Sequence, residues 1–148
     1  MKTLREDGVS ALLVGDYEND RLLLRDVFRK PGWRLFEARD GRRALRCLER
    51  NRVQVVIAES AGNSWSWKSL LQDLRSMQQP PQLLVTSRGA DDSLWAEVLN
   101  FGAYDLLAQP LVRDEVERVV ASAHRHFVMP VGKAGQRHSA LAAPAGAV

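Results

Sequence analysis

Five times along the chain, a short apolar run is followed by a segment whose apolar residues recur at helical spacing. The runs are Ser10 to Val14, Trp33 to Ala38, about Val53 to Glu59, Gln82 to Thr86 and Asp105 to Ala108. Runs of about four to eight apolar and β-branched residues between turn formers read as buried strands. The intervening segments predict helices over about Asn19 or Asp20 to Arg29, Arg42 to Arg50, Trp67 to Met77, Ser93 to Phe101 and Arg113 to His126. Asn19 or Asp20 would cap the first by accepting from its free amides. Pro31-Gly32 stops that helix, and Gly102 is placed to end the fourth in a left-handed conformation. Strict strand–helix alternation forces a parallel sheet with helices on both faces, and the right-handed crossover rule leaves a few doubly wound topologies. The expected domain spans residues 8–128. Met129 to Val148 is rich in Ala, Gly and Pro without apolar periodicity and is expected to be a disordered tail.

Composition narrows the function classes. Hydrophobic residues make up 45% and charged residues 26% of 148, as in an ordinary globular domain. No apolar run approaches the roughly 20 residues that span a bilayer, and MKTLREDG lacks the apolar core of a signal peptide. A cytoplasmic protein without a membrane partner is expected. Cys47, the single cysteine, falls among apolar helical positions and reads as a small core residue. The net charge is +3, with basic residues concentrated between Arg21 and Arg52. No helix-turn-helix, zinc-finger or stacking motif accompanies them, so the reading is a solvated face and disfavours nucleic acid as a partner. His124 and His126 are two apart on a helix and read as surface residues, not metal ligands. No nucleophile triad has recognisable spacing, so no enzyme is expected.

In an open parallel sheet, ligands gather outside the carboxyl ends of the strands. The loops there carry Asp16, Glu59 with Ala61, Thr86 with Ser87, and Gln109-Pro110. Two carboxylates beside a hydroxyl outline a hard-cation and phosphoryl site.

The segments ALLVGDYEND, EARDGRRAL, QVVIAE, LLVTSRG and NFGAYDLLAQP follow in an order and spacing that resemble a response-regulator receiver domain of two-component signalling, over about Ser10 to Phe127. The resemblance implies a flavodoxin-like sheet of five strands in the order 2-1-3-4-5 with five helices. It also implies a phosphoaccepting aspartate at the end of the third strand, where this chain has Glu59. The family's acidic pair after the first strand falls on Gly15 and Asp16, and its carbonyl metal contact on Ala61. Its phosphoryl-binding hydroxyl falls on Thr86, and the lysine of the fifth loop on Gln109, before a retained Pro110. The aromatic switch residue falls on Leu106.

These departures have physical costs. Glu carries its carboxylate about 1.5 Å farther than Asp, one C–C bond, and an ångström of misplacement can cost about a hundredfold in an oriented reaction. Gly15 gives up an acid, and Gln109 offers only a neutral hydrogen bond to a phosphoryl group. The expectation is an atypical receiver, not phosphorylated in the usual way, that needs no cofactor, holds Mg2+ weakly if at all, and acts by protein contact. Its partners would be a histidine kinase or a downstream effector. The helix 4–strand 5–helix 5 face, with Trp95, Leu106, Arg113 and Arg118, is the candidate homodimer surface. Trp65 and Trp67 are further contact candidates. Three other readings stay open: a phosphoacceptor using Glu59 with Mg2+ held by Asp16; a Glu59 that imitates the phosphorylated state by reaching toward Thr86; and a flavodoxin-like ligand binder, although Gly15-Asp16-Tyr17-Glu18 does not match a phosphate-cradling GxGxxG.

Overall fold

The strands of the computed structural model, which describes residues 8–60 and 65–128, form one parallel sheet. They are β1 (Val9–Val14), β2 (Trp33–Ala38), β3 (Val55–Glu59), β4 (Gln82–Ser87) and β5 (Asp105–Ala108), in the order β2-β1-β3-β4-β5. The helices are α1 (Arg21–Val27), α2 (Gly41–Arg50), α3 (Trp67–Arg75), α4 (Asp92–Phe101) and α5 (Arg113–Val128). This is the flavodoxin-like doubly wound arrangement.

The pleat sends alternate side chains to two cores. Leu12, Val14, Val56 and Val85 pack with Ala44, Leu48, Leu70, Leu74 and Val98, so α2, α3 and α4 cover one face. Leu13, Ile57, Leu84 and Leu107 pack with Leu24, Val27, Val116 and Val120, so α1 and α5 cover the other. Burial on both faces explains why β1, β3 and β4 read as continuous apolar runs, while the edge strand β2 carries exposed Arg34 and Glu37. Truncating a central residue such as Leu12, which is 0% exposed, to alanine would cost about 2–5 kcal/mol.

Local chemistry sets the ends of most elements. Asp40 Oδ1 accepts from Arg43 N at 2.9 Å, Asp91 Oδ1 from Leu94 N at 2.8 Å, and Ser66 with Ser69 forms a capping box. Gly102 ends α4 at φ 106°. Several boundaries differ from the sequence expectation by one or two residues, and three have a local cause. The first helix stops at Val27, not Arg29, and the third at Arg75, not Met77. In both, the last amides turn to carbonyls three residues back (Arg29 to Asp26, Met77 to Leu74), which tightens the chain out of the α-helix. β3 starts at Val55, not Val53, and the Gln54 side chain accepts from Ser10 N at 2.7 Å beside it.

His124 is a correction of another kind. It is buried, 9% exposed, because its position on α5 faces the sheet side of the helix with Ala123 and Val120. Trp67, a contact candidate from sequence, is also core: it is 4% exposed and meets the Phe101 ring edge-on. Ala61 and the segment from Met129 onward lie outside the described residues. Among the described residues no helix is long and apolar enough to cross a membrane.

Candidate functional site at the carboxyl edge of the sheet

The loops after β1, β3, β4 and β5 meet around an open cavity of about 470 Å3. Asp16, Glu59, Thr86, Ser87 and Gln109 all line it, so the sheet brings together five of the residues that the sequence placed there. Tyr17 and Arg88 line it as well.

Glu59 ends β3 half-buried, opposite Thr86 in the β3–β4 register. Its Oε1 accepts from the Asp16 backbone amide at 3.2 Å. The side chain thus turns toward the β1 loop, and the carboxylate hydrogen-bonds there, not at Thr86. Gly15 makes the room. A Cβ at position 15 would stand 2.5 Å from Glu59 Oε1 and 2.9 Å from its carboxyl carbon. Gly15 also has φ +131°, which residues with a Cβ rarely adopt. In this arrangement the end of the Glu59 side chain occupies the space that a Cβ at position 15 would take.

Thr86 is wholly buried, and its hydroxyl is joined to the Tyr17 phenol at 2.5 Å. Tyr17 itself is 1% exposed, with a left-handed backbone at φ 46° that folds the ring beneath the β1 loop. Burial pushes its phenol well above the ordinary value of 10.0, the Thr86 hydrogen bond opposes this, and the nearby charges of Glu59 and Asp20 add to it.

Gln109 is engaged too. Its Nε2 donates to Asp20 Oδ2 at 2.9 Å, and Leu111 N approaches Asp20 Oδ1 at 3.4 Å. The intervening Gln109-Pro110 peptide is cis. Asp20 stands at the N-cap of α1 but makes no side-chain capping bond, because its carboxylate ties the β5 loop to the start of α1 instead. Arg21 fixes the neighbouring loop by donating to the Asp16 carbonyl.

Sequence reasoning missed Tyr17, the second role of Asp20, and Arg88. Of these only Asp20 carried a signal, as a polar residue at a helix start. A buried tyrosine with positive φ in a polar loop has none.

A divalent cation of the kind the fold implies needs several oxygen ligands. The described residues do not fit it well. No group of three or more His, Cys, Asp or Glu side chains converges among them. Glu59 Oε1 is held on an amide, both Asp20 oxygens face donors, and position 15 has no side chain.

The candidate face formed by α4, β5 and α5 is partly assembled. Trp95 Nε1 donates to Asp105 Oδ1 at 3.3 Å, and Leu106 is buried in the core, 9% exposed. Burial raises the Asp105 carboxyl above its ordinary 3.8, while bonds from Leu106 N and Trp95 and the charge of Arg118 pull it back. Arg113 does not join this group. Its guanidinium is paired with Asp26 of α1 and lies 3.6 Å from Glu117 on its own helix.

A five-stranded sheet in this order, with an acid and a buried threonine at its carboxyl edge, is the fold and site layout of response-regulator receiver domains of two-component signalling, and the chain is similar to them in sequence and structure. No protein-family model matches it. It is 24% identical to sporulation initiation phosphotransferase F of Bacillus subtilis over 109 residues, 74% of this chain and 88% of that one. Among solved structures it is similar to the receiver domain of the Francisella response regulator 1452, with a TM-score of 0.71 and 22% identity over 80% of this chain and 98% of that one. The signal receiver domain of an HD domain-containing protein from Pseudomonas fluorescens Pf-5 gives a TM-score of 0.71 and 23% identity, over 81% and 97% of the two chains.

Proposed function

We propose that this receiver is atypical: a cytoplasmic, non-enzymatic interaction module that signals by contact with another protein and does not depend on phosphorylation or on Mg2+. One observation carries the reading. Glu59, at the acceptor position, is seated over Gly15 with its carboxylate bonded to the Asp16 amide. In-line phosphoryl transfer is chiefly a matter of position, and this carboxylate is drawn toward β1. The rest of the site supports the same reading. The Thr86 hydroxyl has Tyr17 as its partner, and Gln109 has Asp20. Groups that would hold a phosphoryl oxygen already satisfy one another, which favours one conformation of the site over a ligand-driven switch.

The partner would be a signalling protein, either a histidine kinase or a downstream effector. Self-association would use Trp95 and Arg118 on the α4–β5–α5 face, with Leu106 packed beneath. The test is intact mass after incubation with Mg2+ and a small-molecule acyl phosphate, beside an ordinary receiver. The expected result is no adduct here and modification of the control. An adduct on Glu59 that Glu59→Gln abolishes would refute the proposal and support a phosphoacceptor with Mg2+ at Asp16.

A further inference from the structure

A second concavity, of about 480 Å3, opens on the same edge of the sheet, lined by Asp40, Gly41, Arg42, Arg43, Arg46 and Trp65. We propose that it binds a nucleotide unit, with the phosphate on Arg42 and Arg46 and the base against the Trp65 indole. This goes beyond the proposed contact function and does not depend on it.

The fold puts the cavity where ligands of such sheets collect. β2 leads into Gly41 at the start of α2, and Trp65 precedes Ser66, the N-cap of α3. β1 lies between β2 and β3 in the sheet, and the starts of these two helices lie toward its carboxyl end. The volume falls within the roughly 300–1,000 Å3 of small-molecule sites.

The charges are uneven in a way that leaves an anion site. Asp40, the acid of the cavity, is already committed. Its Oδ1 accepts from Arg43 N at 2.9 Å, and its Oδ2 lies 3.4 Å from the Arg43 guanidinium. Arg42 and Arg46 are exposed, and neither enters a salt bridge among the described residues. They are four residues apart on α2, so they stand one above the other on one helix face. Two adjacent unpaired guanidiniums repel each other, and a phosphate shared between their planar forks relieves that.

The indole decides the class of anion. Trp65 is half-buried, with one side packed on the core. Lys30, Lys68, Arg34 and Arg52 each lie over other aromatic rings, but among the described residues no cation or ring stacks on Trp65. An aromatic face beside a phosphate clamp suits a nucleobase. A carboxylate peptide would satisfy the arginines and leave the ring unused.

The unit could come from a free nucleotide or from a single strand, and the experiment separates the two. Fluorescence anisotropy would be measured on the full chain with fluorescent ATP and with a fluorescent short oligothymidine. Saturable binding of at least one is expected. Stacking free energies predict that Trp65→Ala weakens it by about tenfold, while Trp65→Phe retains most of it. Arg42→Gln and Arg46→Gln should each weaken it by a similar factor, as expected for a charge-assisted contact. Arg125→Gln removes the same charge from an exposed position on α5, across the sheet from this cavity, and should leave binding nearly unchanged. Circular dichroism melting of each variant separates a lost contact from a lost fold. Tighter binding of ATP assigns the site to free nucleotides, and tighter binding of oligothymidine to a strand. Failure of both probes at millimolar concentration overturns the proposal. So does equal weakening by Arg125→Gln, equal displacement by inorganic triphosphate or a glutamate-rich peptide, or full binding by folded Trp65→Ala.

Discussion

The Tyr17–Thr86 pair gives the sharpest test of how this site is held. The two hydroxyls are 2.5 Å apart, with Tyr17 1% and Thr86 0% exposed, so neither can turn to water when the other is removed. Leaving one buried polar group without a partner costs about 1–3 kcal/mol, whereas removing both is nearly neutral. Tyr17→Phe should therefore destabilise the domain by about 1–3 kcal/mol, and Thr86→Val by a similar amount. The double variant should be closer to the wild type than either single change, giving a coupling of about 1–3 kcal/mol. Urea denaturation followed by circular dichroism would measure this, with equal slopes as the check that only stability has changed. In melting temperature each kcal/mol corresponds to roughly 2–4 °C for a chain of this size. If the double variant loses the sum of the two single losses, the hydroxyls are not each other's partner and the account of a self-satisfied pocket is wrong.

Four further outcomes follow from the same structure. Because burial raises the Tyr17 phenol above 10.0, its contribution to stability is complete below that pH and is lost as pH climbs toward the folded value. Urea midpoints on either side of 10 should fall more steeply for wild type than for Tyr17→Phe. The raised Asp105 carboxyl favours its neutral form, so it contributes stability below 3.8 that is lost as pH rises through the folded value. Asp105→Asn keeps an acceptor for Leu106 N and Trp95 Nε1 and should be more stable than wild type at neutral pH, with no advantage in acid. Gly15→Ala should cost about 1–3 kcal/mol from backbone strain alone, plus the contact with Glu59; adding Glu59→Ala should recover the contact part in a urea titration. Asp20→Ala frees Gln109 Nε2 and Leu111 N together, and amide exchange should rise at Leu111 more than at Leu84 in the core.

The fold was legible because β1, β3 and β4 are buried on both faces and read as short apolar runs, such as Val55 to Glu59, set between turn formers and helical spacing. The positions of Asp16, Glu59, Thr86 and Gln109 followed, since strand ends fix which loops meet. Pairing within the site was not legible. Nothing in GDYEND tells that Tyr17 turns inward with positive φ, because that conformation is decided by the Thr86 hydroxyl 69 residues away. Asp20 looked like a helix cap, and sits at that position, but a loop from the far end of the chain claimed its carboxylate. Arg113 was placed with Trp95 by resemblance, and Asp26 on α1 drew it the other way. In each case a local preference lost to a partner distant in sequence.

The interlock of Gly15 and Glu59 also sets an order on change. While Glu59 lies in its present seat, any side chain at position 15 begins 2.5 Å from a carboxylate oxygen. Lineages that change position 15 first therefore meet both the backbone strain and this contact, whereas those that first shorten residue 59 meet the strain alone. A library selected for phosphoryl acceptance should accumulate Glu59→Asp before any replacement of Gly15. The pair thus orders the two changes: the easier first step lies at position 59 and not at the loop that faces it.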